Sequence, residues 1–212
     1  MARPKSEAPK HDEESAKKRI LEAAENLFSA KGFDAATIGG IGKQAGVNSA
    51  LLYYYFTNKE AILHELMASA VREAVAVVEQ SFSKIGVADI DAIAAFMGDV
   101  LLFLRSKKNS LKIMLNEIMR ADRENAYIFE LLSPVYELAQ KKLREIDGFT
   151  DPVDTNYLRI KLFFIYTAPL MLSVVIGDEW KAFHKIGEAE FQIKFLGAMK
   201  EIAVLLDKKN LL

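Results

Sequence analysis

The stretch that most constrains the fold is TIGGIGKQAGVNSALLYYYF, Thr37 to Phe56. Ile38, Ile41 and Ala45 recur at helical spacing, and Thr37 stands where its hydroxyl can accept from a free N–H of the first turn. The pattern stops at Ala45-Gly46-Val47. Glycine adopts positive φ without a Cβ clash, so Gly46 can end one helix and swing the chain into the next. Asn48 or Ser49 then caps a second helix that turns Leu52 inward, with Phe56 one turn on. Two helices crossing steeply need a small residue near the crossing, a glycine in the turn and an apolar residue facing back. Gly42, Gly46 and Leu52 supply them, and the spacing is that of a helix-turn-helix. Gly39, Gly40 and Gly42 crowd the first helix at about 0.8–1 kcal/mol each against alanine, so it relies on packing.

The flanks are equally patterned. RILEAAENLFSAKGFDAATI, Arg19 to Ile38, reads as an amphipathic helix, a Lys-Gly-aromatic break and the capping Thr37. LYYYFTNKEAIL, Leu52 to Leu63, reads as the end of the second helix, a short polar turn and a new helix capped by Asn58. Over residues 18–66 these features resemble the TetR family of transcriptional regulators. The chain departs from that pattern at Gly42, where alanine is commoner, and at Leu51, where a small or hydroxylated residue is usual.

Around this motif the rest reads as helix after helix. Helices are expected over Glu14–Ala30, Asn58–Phe82, Ile90–Arg105, Ser110–Ala121, Asn125–Ile146, Thr155–Ile176 and Glu188–Leu206. Lys108-Asn109, Gly148 with Pro152, Gly177-Asp178 and Gly187 are the separators, and Pro134 and Pro169 are expected to kink the helices that contain them. No stretch alternates with period two long enough to demand a strand. Residues 1–16, polar and holding Pro4 and Pro9, read as a disordered tail without the apolar core of a signal peptide; Arg3 and Lys5 there suit either a basic arm or a solvated tail. The longest apolar run, Leu162 to Ile176, contains Pro169 and falls short of the roughly 20 residues a bilayer needs, so it reads as a buried helix with no membrane partner. The fold expected is therefore all-α, and the resemblance implies its division into a three-helix DNA-binding domain over 17–63 and a C-terminal helical effector-binding and dimerisation domain over 64–212.

Composition limits the alternatives. Residues 1–60 carry 9 Lys/Arg against 8 Asp/Glu, so affinity for nucleic acid must come from local placement and not from bulk charge. There is no cysteine, which excludes disulfides and thiol chemistry and is compatible with a cytoplasmic location. His11, His64 and His184 lie far apart without metal-ligand spacing, and no GxSxG is present. Carboxylates fall at helix-surface spacing and read as solvated. Gly40 to Ala45 fits G-x-G-x-x-A but lacks the preceding strand a dinucleotide site needs. No metal, cofactor or catalytic activity is expected.

A recognition helix enters the major groove with its first residues toward base edges, which singles out Asn48, Ser49 and Ala50. An Asn amide pairs with adenine at N6 and N7, and Ser serves several bases. The resemblance implies that Tyr53 packs and offers its hydroxyl to a phosphate, that Tyr54 and Tyr55 face groove and backbone, and that Lys59 contacts phosphate. Thr37 and Lys43 are the phosphate contacts expected from the other side. It also implies a homodimer bound to a double-stranded DNA operator and controlled by a small-molecule effector. Phe163, Leu170, Val174, Phe191, Phe195, Met199 and Ile202 form stripes that suit a dimer interface; an intramolecular core explains them equally well. Phe103, Met114, Ile118, Tyr127 and Tyr166 are the candidate pocket residues for an apolar or aromatic effector. The rival readings are a ligand-independent architectural DNA-binding protein and a helical enzyme on the same fold.

Overall fold

The computed structural model describes residues 10–85, 90–119, 126–145 and 154–208. Regular structure among them is entirely helical: α1 (Lys10–Lys31), α2 (Ile38–Ala45), α3 (Ser49–Tyr55), α4 (Lys59–Phe82), α5 (Ile90–Ser106), α6 (Lys108–Ile118), α7 (Ala126–Arg144), α8 (Thr155–Ile160), a π-helical segment (Lys161–Thr167), α9 (Ala168–Val175), α10 (Gly177–His184) and α11 (Glu188–Lys208). Two compact units result. The first runs through Ser69 and includes the segment starting at Lys112; the second comprises Ala70–Leu111 and the chain after that segment. The partition falls within α4 and α6.

The first unit is built on α1, which begins at Lys10, inside the stretch expected to be disordered. Arg3 and Lys5 lie outside the described residues. Ile20, Ala23, Ala24 and Phe28 repeat at three- and four-residue spacing and are all buried. Gly32, at φ 82°, ends the helix, and the ring of Phe33 folds back to 5.2 Å from that of Phe28. α2 packs on α1, and α3 on α2. Ile41, Ala45, Leu52, Phe56, Ile62, Leu63 and Met67 are buried, so α2, α3 and the start of α4 each give one face to the core.

In the second unit Val78 and Phe82 of α4 meet Ala139 of α7, with Phe96 and Leu162 against them. α5 packs on α9 and α11. The stretch expected as one helix from Thr155 to Ile176 changes register at its centre. The N–H of Ala168 reaches the carbonyl of Phe163, five residues back, and Pro169 follows at once. Proline has no N–H to donate and its ring crowds the preceding turn, so widening the helix just before it relieves both problems. Gly177-Asp178, expected as a separator, instead opens the short helix α10, and α6 begins at Lys108. The separators at Gly148 and Pro152 lie outside the described residues.

The apolar run is not the buried helix its composition suggested. By length and hydropathy Thr155–Val175 could cross a membrane, yet only 22% of its most apolar window is buried in the protomer. Ile160, Phe164, Leu172 and Ile176 are exposed.

Candidate nucleic-acid interface

Each turn of the motif is closed by a local hydrogen bond. Thr37 is extended (φ −116°, ψ 150°) and its Oγ1 accepts from the N–H of Gly40 at 3.1 Å. Gly46 lies in the left-handed region (φ 65°, ψ 36°), and the N–H of Val47 closes onto the carbonyl of Gly42 at 2.9 Å. Gly42 fits closely beneath that closure: a Cβ there would sit 3.2 Å from the Val47 oxygen and 3.7 Å from Leu52 Cδ1. Asn48, not Ser49, caps α3, its Oδ1 accepting from the N–H of Leu51 at 2.8 Å. Asn58 caps α4 in the same way, receiving the N–H of Ala61 at 2.7 Å.

With Leu52 fully buried and Phe56 beneath it, Ser49, Ala50, Tyr53 and Tyr54 of α3 face outward, and Leu51 and Tyr55 are half-buried. Ser49 and Tyr53 share one face and Ala50 and Tyr54 the next, at four-residue spacing. All four are exposed, Tyr53 by 55% and Tyr54 by 69%. Thr37, Lys43 and Asn48 are exposed as well. The structure thus brings together a polar and aromatic surface backed by an apolar anchor.

Three expectations within this set need correction. Tyr53 does not pack; Tyr55 is the half-buried tyrosine, its ring 5.0 Å from that of Tyr54 in an edge-on pair. Each residue turns about 100° from the last, so once Leu52 points inward Tyr53 points away, and Tyr55 returns toward the core. Asn48 spends one acceptor site of its Oδ1 on capping α3, which leaves its NH₂ as the wholly uncommitted half of the amide. Lys59 does not project into solvent: its Nζ donates to the carbonyls of Phe33 at 2.7 Å, Ala36 at 3.0 Å and Asp34 at 3.3 Å.

The C-terminal candidates separate differently. Of the interface stripe, Leu170, Val174 and Met199 are buried in the protomer's own core. Phe163, Phe191 and Phe195 are half-buried, and only Ile202 is exposed. The phase of the helices decides this: Leu170, Met171 and Val174 turn inward, and Leu172 and Ile176 outward. Of the pocket candidates Met114 is buried and Phe103, Ile118, Tyr127 and Tyr166 are half-buried. A groove of about 450 Å³ lies elsewhere, lined by Leu172, Ile176, Trp180, Ile186, Phe191 and Phe195 among others, and none of the pocket candidates borders it. The rings of Phe191 and Phe195 stack there at 5.7 Å. Trp180, in the helix read as a separator, was the residue missed; a lone tryptophan in a short polar stretch was its only signal.

Charge also gathers on this unit. Lys181 binds Asp178 at 2.8 Å and also Glu188; Lys108 reaches Asp178 at 2.5 Å and Arg105 reaches Glu188 at 2.6 Å. The hydrogen bonds from Lys108 and Lys181 hold the Asp178 carboxyl down at about 2. Those from Lys181 lower Glu188, and Asp178 and Glu188 together raise Lys181. Tyr136 is pushed up to about 12 by burial, against a smaller opposing effect of its hydrogen bond with Thr167. Not every carboxylate is solvated: Glu117 of α6 is buried. Among the described residues no cluster of three or more His, Asp or Glu is arranged to hold a metal ion.

This is a helix-turn-helix head on a chain whose remaining described structure is helical. Residues 20–66 match the model of the tetR family of bacterial regulatory proteins. YdgC of Bacillus subtilis, an uncharacterised HTH-type transcriptional regulator, is 47% identical over 51 residues, which are 24% of this chain and 26% of that protein. The chain therefore spans about a quarter of that relative's length in the match. IcaR of Staphylococcus aureus, a negative transcriptional regulator of a biofilm operon, is 24% identical over 135 residues, 64% of this chain and 69% of IcaR. Among solved structures, the transcriptional regulator FadR of Bacillus subtilis, crystallised with stearoyl-CoA, superposes with a TM-score of 0.69 at 20% identity over 87% of this chain and 96% of FadR. The N-terminal domain is that of the TetR family, and the chain has that family's two-part helical fold.

Proposed function

We propose that the chain is a sequence-specific DNA-binding transcriptional regulator, a repressor released by a small apolar or aromatic ligand and acting as a homodimer in the cytoplasm. The observation that carries this reading is the outward face of α3, where Ser49, Ala50, Tyr53 and Tyr54 are exposed while Leu52 anchors the helix from behind. Such a helix offers hydroxyls, ring edges and the Asn48 amide to a major groove, and Thr37 and Lys43 supply phosphate contacts on its flank. IcaR is a negative regulator, which supports the repressor sign. FadR was crystallised with an acyl-CoA, which supports an apolar effector in the C-terminal part.

The exposed apolar side chains of α8 to α11 support the dimer. Phe164, Ile176, Phe183 and Ile193 are each more than half exposed in the protomer. Two copies meeting there would cover them about a two-fold axis. Half-sites then lie about 34–36 Å apart, and a ligand that favours a dimer with a different spacing between recognition helices releases the operator.

The test is selection of fragments from the source genome by the purified protein in a mobility-shift assay, followed by acyl-CoA and aromatic compounds as releasing agents. One preferred fragment, released by one compound class, supports the whole reading. Uniform retention of all fragments, unaffected by any compound, points to the architectural alternative.

A further inference from the structure

Lys59 opens α4, where a positive charge faces the unfavourable end of the helix dipole. The three acceptors the Lys59 ammonium meets, the carbonyls of Phe33, Asp34 and Ala36, all belong to the connection between α1 and α2. An ammonium has three protons, and three carbonyls take them all. The nitrogen also sits 4.3 Å from the centre of the Phe33 ring, whose face attracts a cation. The carbonyl of Ala36 belongs to the peptide immediately before Thr37, the residue that caps α2.

We propose that Lys59 is a positioning residue for DNA binding and not a phosphate ligand: it clamps the α1–α2 connection and so holds Thr37 and the first turn of α2 in place. This rests on the DNA-binding reading above. Swinging the ammonium out to a phosphate would strip three carbonyls of their shared donor and uncover the Phe33 ring. The same clamp joins the start of α4 to the entry of α2, so the two helices that flank α3 are fixed to each other through one side chain.

Salt dependence separates the two roles. A side chain that neutralises a phosphate releases counterions, and its removal flattens the plot of log affinity against log salt by about 1. The experiment titrates a duplex selected by the wild type, at several salt concentrations, with the wild type, Lys43→Met and Lys59→Met. Lys43→Met flattens the line. Lys59→Met displaces it, with binding weaker by on the order of tenfold at each salt concentration and a slope parallel to the wild type. Flattening by Lys59→Met equal to that of Lys43→Met overturns the proposal while the steep wild-type slope leaves the DNA-binding reading intact. A wild type without salt dependence overturns both. Should Lys59→Met fail to fold, the ¹⁵N signal of the Lys59 ammonium in the wild type gives the answer. It is protected from solvent exchange in the free protein and unmoved by the duplex; protection that arises only with DNA contradicts the clamp.

Discussion

The two units end a helix in left-handed backbone with different residues. α2 stops at Gly46 (φ 65°), and α10 stops at Lys185 (φ 55°). Both are closed by similar bonds: Val47 N–H to Gly42 at 2.9 Å in the first, Ile186 N–H to Lys181 at 3.0 Å in the second. In the first unit Gly46 takes the left-handed backbone without a Cβ, in otherwise open space, while Gly42 before it lies against the Val47 carbonyl. In the second unit the lysine carries the steric cost of its Cβ, and the charged clasp of Lys181, Asp178 and Glu188 brackets the turn from both sides. The DNA-binding unit thus makes its turn with a glycine, and the C-terminal unit makes a similar turn with a lysine between ion-paired neighbours.

Substitutions can break this contrast at several scales. The largest effect belongs to the exposed apolar face. The double change Phe164→Glu with Ile193→Glu should leave the protomer folded and abolish the dimer in sedimentation; a dimer that survives it removes α8 to α11 as the interface. Leu52→Ala should cost about 2–5 kcal/mol of the first unit's stability in denaturant unfolding, because a fully buried anchor leaves a cavity. Gly46→Ala should cost about 1–2 kcal/mol by the same assay, and Lys185→Gly should stabilise by about 0.5–1 kcal/mol. Equal signs for these two changes would erase the contrast.

The smallest effect is a pH dependence. Asp178 has its folded value lowered to about 2 from 3.8, so its contribution to stability is fully present above its unfolded value and is lost as pH falls through the folded one. The urea midpoints of wild type and Asp178→Asn should differ by a constant amount near neutrality and converge as pH falls from about 4 to 2. Added salt should shrink the gap, since the Asp178 carboxylate is largely exposed.

Much of the first unit was legible in the sequence because each of its decisions is made by one residue and its near neighbours. Thr37, Gly46, Asn48 and Asn58 act within four residues of themselves, and each does what its chemistry implies. Helical periodicity says that a stripe exists, and not what covers it. It could not tell that Leu170 and Met199 turn into the protomer while Leu172 and Ile193 turn out, nor that Tyr55 and not Tyr53 returns to the core. Lys59 shows the same limit. Its partners lie 23 to 26 residues away in the chain, and no local pattern announces an ammonium bound to three backbone carbonyls. α10 was missed because Gly177-Asp178 carries the composition of a break and the helix is too short for periodicity to outweigh it.

The central claim is that the outer face of α3 reads base sequence while its inner face is core. The most direct measurement compares the affinities of wild type and Tyr54→Ala for a selected duplex and for random-sequence duplex at one salt concentration, alongside their thermal midpoints. The account predicts an unchanged midpoint and a collapse of the ratio between the two affinities, since the ring is 69% exposed and contributes to recognition without supporting the core. An unchanged ratio would contradict the assignment of Tyr54 as a reader, and a lowered midpoint would mean that this face of α3 serves the fold.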